Sequence, residues 1–147
     1  LLRNAFFILA AALAATAWAQ PVEKSAAQLF QRYTALSRAY DAELVQLFDD
    51  HAVITNKRIY PNGEVRETTL PAAQYKALLR KALPLAQQRG DRSTYSNVRY
   101  AREGERVRIS ASRYSELKKY ASPLVLVVGP APGGRWVIYE EHSESRP

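Results

Sequence analysis

The residue pattern predicts an α+β domain, and three observations carry that prediction. Apolar residues recur at helical spacing between Leu29 and Phe48 and again between Tyr75 and Leu83. After each helical stretch the pattern becomes strand-like and is broken by turn residues, first at Pro61-Asn62-Gly63 and later at Gly104 and Gly133-Gly134. The chain has 147 residues and no cysteine, which is enough to bury one core without covalent cross-links. Helices confined to the N-terminal half, followed by antiparallel hairpins, imply a curved, mostly antiparallel sheet. Three helices then pack on its concave face, in the order α-α-β-β-α-β-β-β-β.

The first nineteen residues read as an export signal. Arg3 precedes the apolar run Ala5 to Ala15, and Ala17-Trp18-Ala19 offers the small residues that a signal peptidase reads. The run is shorter than the roughly 20 residues a membrane span needs, and no other stretch approaches it. The expectation is a signal peptide over 1–19, cleavage near Ala19-Gln20, and one domain over 20–147 without an integral membrane segment. That places the domain in the periplasm of a bacterium or outside the cell.

Within the domain, Ser25-Ala26-Ala27-Gln28 has the spacing of a capping box. Leu29, Phe30, Tyr33, Leu36 and Tyr40 continue as one helical stripe. Asp41 is placed to cap a second, short helix whose buried side is Leu44, Val45, Leu47 and Phe48, with Asp49-Asp50 ending it. A two-residue Asn62-Gly63 loop joins strands 52–60 and 64–69, which sets Tyr60 opposite Val65 and Arg58 opposite Glu67. Pro71 opens a third helix, and Pro84 marks its end or a kink. Strands follow at 94–101, 106–115, 124–128 and 135–143. Pairing Ala101 with Arg106 puts Tyr100 opposite Val107, Val98 opposite Ile109 and Arg99 opposite Arg108.

Composition removes several kinds of chemistry. Without cysteine there are no disulfides, thiolate zinc sites, iron–sulfur clusters or cysteine nucleophile. The two histidines, His51 and His142, leave little for a metal site, so neither metal nor cofactor is expected. The net charge of +7 is concentrated, because Lys76 to Lys119 holds twelve basic and four acidic residues. Arg99, Arg106 and Arg108 are the expected centre of a basic surface. An exported protein with no nucleic-acid module is not expected to bind nucleic acid.

Two strings resemble the nuclear transport factor 2-like superfamily, in its SnoaL-like and ketosteroid-isomerase-like branch. One is Tyr40-Asp41-Ala42-Glu43-Leu44-Val45-Gln46-Leu47-Phe48-Asp49-Asp50-His51-Ala52-Val53. The other is Gly134-Arg135-Trp136-Val137-Ile138 with Glu141-His142-Ser143. The resemblance spans about residues 25–145 and implies a cone-shaped roll with a cavity between helices and sheet, often dimeric. That superfamily hosts enzymes, binding modules and adaptors, so the fold leaves function open. Its known catalytic sets do not transfer: strand 52–60 has no acid, and neither 94–101 nor 106–114 carries one.

The candidates that remain are few. Glu141 and His142 on the last strand form a minimal acid–base pair, but both faces of that strand are apolar and the inward one stays open. Arg113 shares the parity of Val107, Ile109 and Ala111 and should point inward, where a guanidinium needs a protein carboxylate or an anionic ligand. Tyr33, Tyr40, Tyr75, Tyr100 and Tyr114 sit on elements that would wall the cavity. The leading expectation is a domain that binds a small, partly apolar, anionic ligand, with Arg113 on the anion and Tyr33, Tyr40, Tyr100 and Tyr114 around it. The alternatives are an isomerase, dehydratase or hydrolase using Glu141 or His142, and a homodimeric interaction module with a basic face.

Overall fold

A computed structural model describes residues 13–147, with side chains from Val22 onward. Helix α1 (Leu13–Arg38) leads into a 3-10 turn (Ala42–Leu47), strands β1 (Phe48–Ile59) and β2 (Val65–Pro71), and helix α2 (Ala72–Arg89). Strands β3 (Ser93–Glu103), β4 (Arg106–Ser115), β5 (Tyr120–Pro130) and β6 (Trp136–Ser145) complete the chain. The six strands form one sheet in the order β2-β1-β6-β5-β4-β3. Every neighbouring pair is antiparallel except β1 with β6, so the α+β architecture and its element order are as the patterning implies.

Helix α1 packs over β3, β4 and β6, and α2 over β1 and β2, all on one face. Alternate residues of β1, β4, β5 and β6 supply the core beneath them: Phe48, Ile54, Val107, Ile109, Leu124, Leu126, Val128 and Ile138, with Phe30 and Leu44 from the helical side. Among the described residues no helix is long and apolar enough to cross a membrane. The expected signal peptide falls largely on residues 1–12, outside the described residues.

Asp41 caps the 3-10 turn as its position suggested, its carboxylate accepting from the Glu43 N–H at 2.8 Å. Ser25 does not begin a helix. Helix α1 runs unbroken from Leu13, so carbonyls of the preceding turn serve the N–H groups that a capping box would have satisfied. Helix α2 also passes through Pro84 and ends at Gly90, whose φ of 67° suits a left-handed cap.

Two registers differ from the sequence expectation, and the last strand carries a bulge. The β1–β2 loop has three residues, because the Tyr60 N–H donates to the Glu64 carbonyl at 2.9 Å and Asn62 Oδ1 accepts from the Glu64 N–H at 3.0 Å. Ile59 therefore faces Val65, Arg58 faces Arg66, and Lys57 takes the place opposite Glu67. The β3–β4 turn is tighter than expected: Glu103 pairs with Arg106, and Tyr100 lies opposite Ile109. That register sets Arg99 opposite Ser110, and a bulge at Asn97, whose φ is 52°, then shifts the ladder by one residue so that Tyr95 faces Arg113. In β6, Val127 pairs with Glu140 and Val128 with Ile138, leaving Tyr139 as an extra residue.

Candidate functional site

The Tyr139 bulge decides which acid enters the fold. Without it, Glu141 would share the outer face with Val137. With it, Glu141 joins Ile138 on the inner face and is 3% exposed. Two helices meet it there. Tyr75 of α2 donates to Oε1 at 2.8 Å, and Tyr33 of α1 donates to Oε2 at 3.3 Å. Tyr95 of β3 packs edge-on to Tyr33, with ring centroids 6.3 Å apart.

Burial raises the Glu141 pKa above the ordinary carboxyl value, and the Tyr75 hydrogen bond, Arg113 and Tyr33 offset that rise only in part. Both partner hydroxyls are pushed well up, first by burial and then by the Glu141 charge. They remain neutral donors through the physiological range. Arg113 is half-buried and donates through Nη2 to the Glu144 carbonyl at 2.9 Å. Burial works against its charge, but the surrounding tyrosine oxygens and Glu141 outweigh that, and the guanidinium stays cationic. Among the described residues it makes no ion pair within 4.0 Å.

Glu141, Tyr75 and Arg113 line a cavity of about 580 Å³ between β1, β2, β4, β6 and α2, while Tyr33 and Tyr95 are not among its lining residues. Ile54, Leu70 and Tyr75 give it apolar walls, Arg113 and Glu141 stand deep within, and Arg58, Tyr60 and Arg66 surround its opening. Asn56 also lines it, with its amide engaged: Nδ2 donates to Ser143 Oγ at 3.0 Å, and Oδ1 accepts from Ser145 Oγ at 2.9 Å. At the opening, the guanidinium carbons of Arg58 and Arg66 lie 5.7 and 5.0 Å from the Tyr60 ring centroid. Arg66 is additionally paired with Glu64 at 2.7 Å.

The structure distributes the other candidates differently. His142 faces outward, 3.8 Å from Glu140, beside a shallower groove of about 450 Å³ lined by Thr55, Lys57, Arg108 and Val125. Tyr100 packs at the core edge, Tyr114 is 39% exposed, and Tyr40 carries Arg92 against its ring; none of the three lines the cavity. The expected basic surface is partly neutralised, since Arg108 is bound by Glu103; Arg106 keeps its charge and lies 3.8 Å over the Tyr139 ring. Arg99 is exposed on the edge strand β3. Among the described residues no three His, Asp or Glu side chains come together as metal ligands.

Asn56, Arg58, Tyr60 and Arg66 were not singled out by sequence reasoning. The signal for three of them is present in the alternation Ile54-Asn56-Arg58-Tyr60, one strand face that turns from apolar to polar as it leaves the core.

No family model matches the sequence, and no curated protein matches it. Solved structures do match in fold. An NTF2-like protein with a cystatin-like fold from Novosphingobium aromaticivorans aligns over 90% of this chain and 86% of its own, at TM-score 0.61 and 17% identity. A candidate ketosteroid isomerase from Shewanella frigidimarina aligns over 83% of this chain and 96% of its own, at TM-score 0.61 and 18% identity. A Catenulispora acidiphila protein solved in complex with S-DNPA aligns over 85% and 93%, at TM-score 0.57 and 12% identity. The chain thus has the nuclear transport factor 2-like fold.

Proposed function

We propose that this domain binds a small, partly apolar organic anion in the cavity between sheet and α2. One observation carries the reading. Three guanidinium groups, Arg58, Arg66 and Arg113, line a single cavity against one carboxyl group, and that carboxyl already accepts two tyrosine hydroxyls. Cations around an apolar-walled cavity attract an anion with an apolar body, and a guanidinium fork matches carboxylate geometry. The small-molecule complex of the Catenulispora protein supports ligand binding by this fold. Calorimetric titration with 4-phenylbutyrate and its methyl ester tests the reading. The acid is expected to bind about tenfold more tightly, equivalent to about 1.4 kcal/mol. Equal affinity for the two would overturn it.

A second reading is supported by Glu141 itself. A buried carboxyl with a raised pKa, open to a cavity and oriented by two hydroxyls, has the attributes of a general acid–base. The candidate isomerase among the fold neighbours is in line with it. His142 drops out of this reading because it lies on the opposite face. Loss of turnover in Glu141→Gln, with ligand affinity kept, would favour an enzyme over a binding protein.

Export belongs to the proposal as well. Protein recovered from a bacterial periplasm is expected to begin at Gln20, and an intact mass retaining residues 1–19 would contradict that.

A further inference from the structure

The cavity is not uniformly cationic, and its two ends differ in both exposure and charge. Arg58 and Arg66 stand directly opposite each other across the β1–β2 ladder, an unfavourable pairing of like charges. Both reach the Tyr60 ring at the opening, where Arg66 is well exposed and paired with Glu64. Arg58 makes no ion pair among the described residues, so the opening keeps one uncompensated positive charge. At the floor, the Arg113 guanidinium and the Glu141 carboxylate bring opposite charges into one buried space. Ile54 and Leu70 lie on the cavity wall without a polar side-chain atom.

On the binding reading above, we infer that the ligand has two distinct ends, with a carboxylate held at the opening by Arg58 and Arg66 and an uncharged carbonyl or hydroxyl meeting Arg113 and Glu141 at the floor. The physical reasons concern what each end refuses. An anion driven to the floor would meet the Glu141 carboxylate in a space with little water, and a cation there would meet Arg113. A neutral polar group avoids both penalties. Its oxygen can accept an Arg113 N–H that protein atoms leave unused, and a hydroxyl can also donate to a remaining Glu141 lone pair. Asn56 cannot take this role as readily, because Ser143 and Ser145 already hold its amide. At the opening, two guanidinium groups against one ring are relieved by an anion between them.

The test uses three probes, 4-phenylbutyrate, its methyl ester and 4-(4-hydroxyphenyl)butyrate, against the full chain and three variants. In the wild type the acid is expected to exceed the ester by about tenfold and the hydroxylated acid to exceed the plain acid by several-fold, about 1 kcal/mol converted. Arg58→Gln with Arg66→Gln removes the preference for acid over ester and keeps the preference for the hydroxyl. Glu141→Gln does the reverse. Circular dichroism and thermal melts establish that all three variants fold; Arg58 and Arg66 are exposed, and Gln preserves the volume at Glu141. An acid preference that survives loss of Arg58 and Arg66 but disappears in Arg113→Met would overturn the two-ended assignment while leaving the binding reading intact. No detectable binding of any probe to the wild type would overturn both.

Discussion

Glu141 and its neighbours Glu140 and His142 are adjacent in sequence and belong to opposite chemical environments. Glu141 is buried on the inner face, with two tyrosine donors and a guanidinium nearby. Glu140 and His142 stand 3.8 Å apart on the outer face, with side chains 37% and 41% exposed. Inside, one charge is fixed by few partners and strongly felt. Outside, Lys57, Arg108, Glu67 and Glu144 surround the pair with both signs of charge, and water screens them. The difference comes from one extra residue, Tyr139, and not from any difference in residue type.

The largest contrast between the two faces lies in packing. Ile138→Ala, under the inner face, is expected to lose about 2–5 kcal/mol in urea unfolding, whereas Val53→Ala, 43% exposed, should stay within about 0.5 kcal/mol. Similar losses at both positions would mean that the outer face is covered as well.

Next comes the polar contrast. Glu141→Ala leaves the Tyr33 and Tyr75 hydroxyls without their acceptor in a buried site and should cost about 1–3 kcal/mol. His142→Ala should change stability by about 0.5 kcal/mol or less. Equal effects would erase the distinction between the faces.

The pH dependence sharpens the same comparison. The Glu141 pKa is raised in the folded chain, so the folded state holds its proton more tightly than the unfolded state does. That contribution to stability is therefore present below the ordinary glutamate value of about 4.3 and is lost as pH rises from there through the folded value. Urea midpoints of wild type should fall across that window relative to Glu141→Gln, in which the group cannot titrate. Parallel curves would contradict a buried, ionising Glu141. A small effect is also expected at the outer rim: Arg108→Ala breaks a half-exposed ion pair with Glu103 and should cost less than about 1 kcal/mol.

Much of this arrangement was legible in the sequence, and the exceptions share a cause. Helical periodicity and turn residues gave the element order, because both are local properties of the chain. The inward parity of Arg113 followed from Val107, Ile109 and Ala111 on a strand with no irregularity in its pairing to β5. Registers failed at the β3–β4 turn, which uses two residues instead of four, at the extra residue Asn97, and where the β1–β2 loop uses three residues instead of two, while the extra residue Tyr139 hid the inward face of the last strand. Bulges are fixed by what the neighbouring strand and the core require, so alternation counted along one strand passes over them. For that reason the face of Glu141 could not be chosen from sequence, and Tyr95 was not placed opposite Arg113. The tyrosines were abundant enough to suggest a pocket. Which of them reach it depends on how α1 and α2 cross the sheet: Tyr75 lines it and Tyr33 touches it only through Glu141, while Tyr40, Tyr100 and Tyr114 do not line it.

The central claim is that the inner cavity, and not the outer groove, takes an organic anion. Backbone amide shifts during titration of the full chain with 4-phenylbutyrate test it most directly. The account predicts saturable shifts at Ile54, Arg58, Arg66, Arg113 and Glu141, weakened when Arg58 and Arg66 are both replaced by Gln. Shifts confined to Thr55, Lys57, Val125 and His142 would place the ligand on the outer face and contradict the account.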